Sequence, residues 1–363
     1  MDATFRWAFI GTGTLARKVI REITAAGRHK VVSAYSRNRE KLRAFCEPYG
    51  TYAAASLEDA VCRDDVDAVY ISVTNESHYD ICRRCLELGR NVLLEKPFTI
   101  NASQTAELQK LAADRGLYLS EAMWTWYSDV PNMIRGIVGS GRLGKIRSVY
   151  MAYSMNSIGY APRVSDPLLG GGAVLDIGIY PIAYAYRLFG FPSSIRCTGD
   201  VRDGIDYGEE IVLSYDGFDV RMDVSIVGTK GEAMLIEAEK GMIANTGFHY
   251  AEPALVKIGD SIEILQGKKG YIVEFDNVAA EIRSVKTESS FIPPKMTYDC
   301  MRILDECRRQ MNLVYPFEVP LSPQNRMAMD DILASRAERR NGFKGYDADD
   351  VLKEIDEMLR RKL

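Results

Sequence analysis

The sequence lacks an excess of positive charge and lacks a long apolar run. Its 46 Lys and Arg residues are outnumbered by 50 Asp and Glu residues, which leaves a formal charge of −4 at pH 7. A chain with this charge balance has no positive field to hold a nucleic-acid backbone, so we expect no nucleic-acid partner. No apolar stretch approaches the roughly 20 residues that a membrane-spanning helix needs, so we expect no membrane partner either.

The chain also lacks an even, ordered set of cysteines. Its seven cysteines are scattered, which argues against a disulfide framework and indicates reduced thiols. Cys82 and Cys85 have the spacing of a metal or redox pair, but no second pair accompanies them and the surrounding pattern is helical, so we expect no metal site. Because the first residues lead directly into a strand without the basic and apolar segments of a signal peptide, we expect a cytoplasmic protein.

The pattern of secondary structure changes about one third of the way along the 363 residues. Before that point, short apolar runs alternate with helical segments, which predicts a parallel sheet. These strands are predicted at residues 5–10, 31–35, 68–73, 91–95 and 117–121. Strands then predominate, at residues 146–154, 195–201, 211–215 and 218–227, with a hairpin turn at Asp216-Gly217 and helical stretches at about 173–189 and 295–311.

We therefore predict an α/β protein of two domains, since one domain seldom exceeds about 200 residues. A Rossmann domain with a parallel sheet is expected at residues 1–121. An α+β domain with a mostly antiparallel open sheet is expected at residues 122–320, followed by a helical extension at 321–363. Val351, Leu352, Ile355, Met358 and Leu359 recur at helical spacing in this extension, which predicts one amphipathic helix.

A dinucleotide fingerprint lies between the first strand and the first helix. Small residues at Gly11-x-Gly13-x-x-Ala16 allow a tight turn and let the backbone approach a pyrophosphate at the helix N-terminus. A glycine pattern alone can mark only a turn, but this one opens the first of several alternating units. The residues predicted to bind the cofactor here are Gly11, Thr12, Gly13, Thr14 and Leu15.

The end of the second strand distinguishes the two nicotinamide dinucleotides, because an acidic residue there binds the ribose hydroxyl of NAD and repels a 2′-phosphate. The run Ser36-Arg37-Asn38-Arg39 contains no acid and offers a hydroxyl and two guanidinium groups. The alternative is a solvated turn with surface arginines. We predict that NADP(H) is preferred and NAD(H) is possible, with Ser36 and Arg37 at the phosphate.

Polar residues follow two later strands, at the edge where open parallel sheets bind ligands. Thr74, Asn75 and His78 follow one strand, and Glu95 and Lys96 end the next, just before Pro97. We interpret these residues as candidates for cofactor binding. A single lysine is usually a surface residue, however, and a single histidine is more often a helix cap or a hydrogen-bonded core group.

A glycine run at Gly170-Gly171-Gly172 precedes a second group of candidates. Asp176 and Tyr180 are four residues apart, which places both on one face of the predicted helix. The alternative for Asp176 is a favourable charge on the first turn of a helix.

These motifs together resemble those of the glucose-fructose oxidoreductase, inositol dehydrogenase and rhizopine-catabolism family (Gfo/Idh/MocA). The resemblance runs from residue 7 to about residue 318 and is strongest to the branch of trans-1,2-dihydrobenzene-1,2-diol dehydrogenases and NADP-dependent xylose dehydrogenases. It implies a small sugar, polyol or diol as substrate and a homodimer. The motifs that carry it are the glycine fingerprint, Glu95-Lys96-Pro97-Phe98, Glu121-Ala122-Met123-Trp124 and Gly171-Gly172-x-x-x-Asp176-x-Gly178-x-Tyr180.

Two positions depart from the pattern of the family. Many members carry His where this chain has Tyr180, so its proton-transfer group resembles the branch that uses Tyr. That branch commonly has Arg after Trp-Thr, whereas this chain has Trp126. The change puts a transfer of substrate specificity in doubt.

The resemblance implies an oxidoreductase that moves a hydride between nicotinamide and a secondary alcohol or carbonyl. Tyr180 would handle the proton, and because a phenol is a poor base near pH 7, Lys96 would stabilise its phenolate. Asp176 would orient this pair or bind a second hydroxyl, and Trp124 and Tyr160 would form flat walls against substrate carbons. The alternative function is a non-catalytic NADP-sensing regulator or binding protein on the same fold.

Overall fold

The computed structural model describes residues 4–159 and 161–318. Six parallel strands form the first sheet in the order β3-β2-β1-β4-β5-β6, so the order in which strands are added reverses between β1 and β4. The strands are β1 Phe5–Ile10, β2 His29–Tyr35, β3 Tyr52–Ala53, β4 Ala68–Ile71, β5 Val92–Glu95 and β6 Leu119–Ala122. The helices between them are α1 Thr14–Ala25, α2 Arg39–Cys46, α3 Leu57–Val61, α4 His78–Glu87 and α5 Ala102–Arg115.

This sheet is covered by helices, which explains its composition. All residues of β4, β5 and β6 are buried, as expected for parallel strands that lie between two helical layers. α1 buries Ala16, Val19, Ile20 and Ile23, which recur at helical spacing and form one apolar stripe. In such a sheet, ligands bind at the carboxyl ends of the strands where the order reverses, which here is the edge formed by β1 and β4.

Eight strands form the second sheet in the order β14-β13-β12-β11-β7-β10-β9-β8. Neighbours are antiparallel except β7 and β10, which are parallel. The strands are β7 Ile146–Ser154, β8 Ser194–Arg202, β9 Ile205–Tyr215, β10 Phe218–Ser225, β11 Gly231–Ala238, β12 Gly241–Asn245, β13 Ala254–Ile258 and β14 Ser261–Leu265. The remaining helices are α6 Asp129–Gly139, a π-helix at Val174–Gly178, α7 Ile179–Phe189, α8 Tyr271–Arg283 and α9 Pro294–Gln310.

The predicted fold class is confirmed, including the hairpin between β9 and β10 at Asp216-Gly217. Five strands, β3 and β11 to β14, and the helices α6 and α8 were not predicted, and the predicted helix at about 173–189 begins instead with a π-helix. The unpredicted strands are short and mix apolar with charged residues, so their pattern is weak without the neighbouring strands that they pair with. The extension at 321–363 and its predicted helix lie outside the described residues, and the domain boundaries stay predictions.

One described stretch, Pro167–Phe189, is long and apolar enough to cross a membrane by length and composition alone, which corrects the expectation that no apolar stretch has this length. In the fold, 89% of its most apolar window is buried inside the protein. It is therefore placed as a core helix would be, and its apolar character is explained by packing.

α8 joins the later part of the chain to the first sheet. Its Phe275 is fully buried and contacts the rings of Trp7, Phe9 and Tyr70 at centroid distances of 4.7, 6.2 and 5.2 Å. Beside it, Asp276 accepts hydrogen bonds from the guanidinium group of Arg28 on the first domain. These contacts make the first sheet and α8 parts of one core.

We expect Phe275→Ala to destabilise the protein by about 3–5 kcal/mol, because it leaves a cavity among three rings that cannot close around it. Urea unfolding measures this free energy. The matched control is Phe191→Ala, since Phe191 is 39% exposed and its removal should cost at most about 1 kcal/mol. Equal losses in the two variants would contradict a core that depends on α8.

Candidate active site

The glycine turn after β1 has the shape that a dinucleotide needs. Gly11 has a φ of +103°, and a Cβ atom there would lie 2.1 Å from the carbonyl oxygen of Ser72. A Cβ atom at Gly13 would instead meet no atom within 4 Å, so open space lies in front of the N-terminus of α1. The first amides of a helix have no partner within it, and they can bind a pyrophosphate in this space. The turn therefore fits the predicted cofactor.

The turn after β2 offers a single free guanidinium group for a 2′-phosphate. Arg37 is exposed beside the half-buried Ser36. The two terminal nitrogens of Arg39, in contrast, donate to the carbonyl oxygens of Ala54 and Ala55. The interpretation that two arginines are available is thus wrong for Arg39, because its guanidinium group already holds the backbone before α3.

The polar residues after β4 connect loops to each other. Asn75 is buried and donates to the carbonyl oxygen of Gly170 at 2.8 Å. His78 is 1% exposed, with Nδ1 at 2.8 Å from the carbonyl oxygen of Pro97 and Nε2 at 3.3 Å from that of Val73. Burial lowers the pKa of His78 to about 4, so its ring is neutral. This arrangement places His78 beneath the turn that carries Lys96, and its ring nitrogens are directed at the backbone.

Thr74 and Glu95 are also engaged within the protein. The hydroxyl of Thr74 donates to Glu76 at 2.7 Å. Glu95 is buried, accepts a hydrogen bond from the hydroxyl of Tyr70 at 2.7 Å and another from the amide of Lys96 at 3.2 Å. Burial raises the pKa of Glu95 to about 7. Glu95 thus anchors the end of β5 from the inside of the sheet.

Three of the predicted catalytic residues converge at the end of β5. Lys96 Nζ donates to the backbone oxygen of Asp176 at 2.6 Å and lies 3.5 Å from its carboxylate oxygen Oδ1. The same nitrogen lies 4.8 Å from the ring centroid of Tyr180. The side chains of Lys96 and Asp176 are only 12% and 9% exposed. Residues 80 positions apart in the sequence thus form one cluster.

Arg163 completes this cluster and was not predicted from the sequence. Its guanidinium group lies 2.9 Å from Oδ1 of Asp176. Burial alone would raise the pKa of Asp176, but the charges of Lys96 and Arg163 outweigh burial and lower it. Asp176 is therefore ionised between two cations. No motif marks Arg163, which lies in a short 3-10 segment at Pro162–Ser165.

Tyr180 is held as a neutral phenol. It is 6% exposed, and burial raises its pKa well above the ordinary value, with further increases from Tyr153, Tyr271 and Glu95. A hydrogen bond with the Trp124 side chain acts in the opposite direction and is the smaller effect. Lys96 Nζ lies over the ring face of Tyr180, and the interpretation of Lys96 as the cation that stabilises a phenolate stays a prediction.

Aromatic residues form a wall beside Tyr180. Trp124 lies 5.1 Å from Tyr271 and 5.8 Å from both His249 and Tyr250, between ring centroids. His249 lies 4.7 Å from the ring of Tyr180. The wall includes the predicted Trp124, whereas His249 was not predicted, because a single histidine in a loop carries no motif. The predicted substrate residue Tyr160 lies outside the described residues.

A pair of buried carboxyl groups on β9 contacts both ends of the π-helix that carries Asp176. Oδ2 of Asp206 accepts a hydrogen bond from the amide of Val174 at 2.5 Å. A Cβ atom at Gly172, whose φ is +115°, would lie 2.0 Å from Oδ1 of Asp206, so only glycine fits there. A Cβ atom at Gly178 would lie 3.1 Å from Glu209. π-helical turns are rare and occur mostly at functional sites.

Asp206 and Glu209 are both buried carboxyl groups with raised pKa values. Oδ1 of Asp206 and both carboxyl oxygens of Glu209 have no hydrogen-bond partner within the described residues. Burial raises the pKa of Glu209 well above its ordinary value, and the nearby charge of Asp206 raises it further. Burial also raises the pKa of Asp206, but the backbone amide of Val174 donates to its carboxylate and acts in the opposite direction.

The geometry of the site defines the class of the protein. A Rossmann sheet with a dinucleotide turn opens beside a lysine, a carboxylate and a phenol that the second domain helps to position. This combination is that of an NAD(P)-dependent oxidoreductase acting on alcohols or carbonyls.

Comparison with known proteins gives the family. Residues 5–123 match the Gfo/Idh/MocA model described as "Oxidoreductase family, NAD-binding Rossmann fold", and residues 132–244 match "GFO/IDH/MocA C-terminal domain". The chain belongs to the Gfo/Idh/MocA oxidoreductase family, which confirms the resemblance seen in the sequence.

Two relatives illustrate the similarity in sequence. The NADP(+)-dependent scyllo-inositol 2-dehydrogenase IolU of Bacillus subtilis is 28% identical over 324 residues, covering 86% of this chain and 98% of the relative. The trans-1,2-dihydrobenzene-1,2-diol dehydrogenase of Homo sapiens is 26% identical over 332 residues, with coverage of 86% and 98%.

Two solved structures illustrate the shared fold. KijD10, a 3-ketoreductase from Actinomadura kijaniata in complex with NADP, has a TM-score of 0.73 at 21% identity, covering 85% of this chain and 98% of that chain. The aldose-aldose oxidoreductase from Caulobacter crescentus has a TM-score of 0.77 at 18% identity, with the same coverage.

We expect the two members of the carboxyl pair to respond differently to isosteric changes. Glu209→Gln replaces a carboxyl group whose raised pKa keeps it protonated with a neutral amide of similar shape, so its unfolding free energy should stay within about 1 kcal/mol of wild type. Asp206→Asn weakens the acceptor of the Val174 amide at the start of the π-helix and should cost about 2–3 kcal/mol. Urea unfolding measures both, with Glu210→Gln at the exposed neighbouring position as control. Equal costs for Glu209→Gln and Asp206→Asn would contradict this difference between the two carboxyl groups.

Proposed function

We propose that this protein is an NADP(H)-dependent oxidoreductase that acts on a secondary alcohol or carbonyl of a sugar, polyol or cyclic diol. The observation that carries the proposal is the convergence of Lys96, Asp176 and Tyr180 at the carboxyl edge of the Rossmann sheet. The relatives named for inositol and dihydrodiol substrates support this substrate class. When the dinucleotide is bound with its pyrophosphate at the glycine turn, its nicotinamide would donate or accept the hydride.

Tyr180 would move the proton of the reaction. Its neutral phenol has the protonation state of a general acid, which would donate to the oxygen of a carbonyl as the hydride reaches the carbon. The positive charge of Lys96, 4.8 Å from the ring centroid, would then stabilise the phenolate that is left. In the oxidative direction the same two groups would work in reverse, so the proton of the alcohol would pass to the phenolate.

Asp176 and Trp124 would orient the substrate. Asp176 is ionised between Lys96 and Arg163, and a carboxylate that is already neutralised can still accept a hydrogen bond from a substrate hydroxyl. Trp124 presents a flat apolar surface beside Tyr180, of the kind that packs against ring carbons. A polyhydroxylated ring offers both features, which is why we favour sugars, inositols and cyclic diols.

The cofactor preference would follow from the turn after β2. Exposed Arg37 and half-buried Ser36 would bind the 2′-phosphate, and no acidic side chain in residues 36–39 would repel it. The proposal further includes a homodimer in the cytoplasm, supported by the family resemblance and by the seven free cysteines. A non-catalytic regulator would not need a lysine, a carboxylate and a phenol in contact.

We expect the purified protein to oxidise or reduce at least one member of a panel of aldoses, inositols, osones and cyclic diols, followed by nicotinamide absorbance. Lys96→Met and Tyr180→Phe should each lower turnover by about 10² or more while NADP(H) affinity changes little, because both groups act on the proton. Lys110→Met and Tyr79→Phe are matched controls on the surface. NADP(H) binding without turnover of any panel member would favour the regulator instead.

Arg37→Asp should shift the ratio of kcat/KM for NADP(H) over NAD(H) toward NAD(H) by about 10² or more, because a phosphate partner becomes a repelling carboxylate. Initial rates with each cofactor measure the ratio. Arg147→Asp makes the same charge change on the second sheet and should leave the ratio unchanged. Wild-type protein that prefers NAD(H) would contradict the interpretation of this turn.

A further inference from the structure

Three polar side chains form a hydrogen-bonded chain that ends beside Tyr180. Nδ1 of His249 lies 2.6 Å from Oε1 of Glu232, and Nε2 lies 3.3 Å from the hydroxyl of Tyr153. The second carboxylate oxygen of Glu232 accepts the backbone amide of His249 at 3.1 Å. The side chains of His249 and Glu232 are 7% and 9% exposed. The chain is therefore shielded from water along its length.

The carboxylate fixes the tautomer of His249. A carboxylate can only accept, so the proton of the neutral ring lies on Nδ1 and points to Glu232. Nε2 is then an acceptor, and the hydroxyl of Tyr153 donates to it. This is the order in which a carboxylate orients an imidazole toward a hydroxyl group in many enzymes.

His249 is in direct contact with Tyr180. Their ring centroids are 4.7 Å apart. The ring of Tyr153 also stacks on His249, with a centroid distance of 4.7 Å and an interplanar angle of 26°. The backbone around the histidine is held by the hydroxyl of Thr125, which donates to its carbonyl oxygen at 2.7 Å. Tyr180 thus has both Lys96 and His249 as neighbours.

Packing alone does not explain a histidine with a buried carboxylate at this position. A phenylalanine would supply the same ring contact with Tyr180 but would leave the buried Glu232 carboxylate and the Tyr153 hydroxyl without their hydrogen bonds to the ring. Burying a carboxylate costs free energy unless its hydrogen bonds are satisfied, so this arrangement costs more than an apolar wall would. The polar partners of His249 therefore point to a role for the charge and orientation of its ring.

The groups that face His249 keep it neutral near pH 7. Burial lowers its pKa below the ordinary value of 6.5, Glu232 acts in the opposite direction, and the charges of Lys96 and Lys18 lower it further. The other ionisable groups in contact with the ring are the phenols Tyr153, Tyr180 and Tyr250. Because the pKa of His249 is lowered, its neutral form persists to pH values below 6.5.

Protonation would reverse the polarity of the chain. Nε2 would become a donor, so the hydroxyl of Tyr153 would have to turn away from it. A second cation would also lie beside Tyr180, in addition to Lys96. The neutral ring therefore gives one arrangement of the two phenols, and the charged ring gives another.

We propose that Glu232, His249 and Tyr153 are positioning residues for Tyr180, and that neutral His249 holds Tyr180 in the orientation from which it transfers its proton. The inference rests on the proposed role of Tyr180 in the reaction. On this proposal, kcat falls at low pH as His249 becomes protonated, which gives the pH profile of kcat an acid limb. Glu232 influences the pH at which this limb lies, because it raises the pKa of His249.

Glu232→Gln tests this assignment. Loss of the carboxylate removes the group that raises the pKa of His249, so the acid limb of kcat should move to lower pH. At pH 7.5 we expect kcat to fall by about tenfold, with KM and NADPH affinity within about twofold of wild type, because the orientation of a bound group is affected. Glu237→Gln, on the same strand and hydrogen-bonded to Ser148 on the surface, is the matched control.

Tyr153→Phe provides the second variant. It should lower kcat in the same way without moving KM, whereas Tyr150→Phe, on the same strand with its hydroxyl bonded to half-buried Asp223, should not. NADPH affinity and far-UV circular dichroism show whether each variant is folded. If Glu232→Gln is unstable, the pair Tyr153→Phe and Tyr150→Phe decides the kinetic question.

A readout besides activity separates the two proposals. The chain has only three histidines, so their ring protons can be assigned and titrated by NMR, with His29 and His78 as internal references. We expect the His249 titration to move to lower pH in Glu232→Gln and the other two to stay. An unmoved His249 titration, or a moved titration with an unmoved acid limb, overturns the inference. If the His249 titration moves in Glu232→Gln but the wild-type protein turns over no substrate, the proposed function is overturned, and this role with it.

Discussion

The hydrogen bond from Lys96 to the backbone of Asp176 joins the two halves of the site, and the other features are arranged around it. Lys96 is delivered by the end of β5, which Glu95 anchors from within the sheet and His78 supports beneath Pro97. Asp176 is delivered by a π-helix that Asp206 and Glu209 contact at its two ends. One set of contacts positions Lys96 and the other positions Asp176, so the loss of either set would move the ammonium group away from Asp176.

The protonation of the buried carboxyl groups follows from how many positive charges reach them. Burial raises the pKa of both Glu95 and Glu121 to about 7, and it raises that of Glu274 further, where neighbouring carboxylates add to the effect. Asp176 is equally buried but has its pKa lowered, because Lys96 and Arg163 both face it. Of these four carboxyl groups, Asp176 is therefore the ionised one, and it lies where a substrate hydroxyl could reach it.

Tyr180 receives opposing influences from its two neighbours. Lys96 provides a charge that would stabilise a phenolate, while burial and the neighbouring Tyr153, Tyr271 and Glu95 favour the neutral phenol. A proton-transferring group works best when neither form is strongly favoured, and nicotinamide and substrate would change this balance when they bind. The aromatic wall therefore contributes to the chemistry as well as to the shape of the site.

The sequence by itself determined the Rossmann strands, the dinucleotide turn, the hairpin at Asp216-Gly217 and the candidates Lys96, Asp176 and Tyr180. These depend on local patterns: buried strands are apolar, tight turns need glycine, and functional residues follow strand ends. Only the tertiary structure decided that Arg163 and His249 join the site and that Arg39 does not, because contacts such as that between Tyr153 and His249 span 96 residues. It also decided the protonation of Tyr180, since a pKa depends on burial and on charges brought near by the fold.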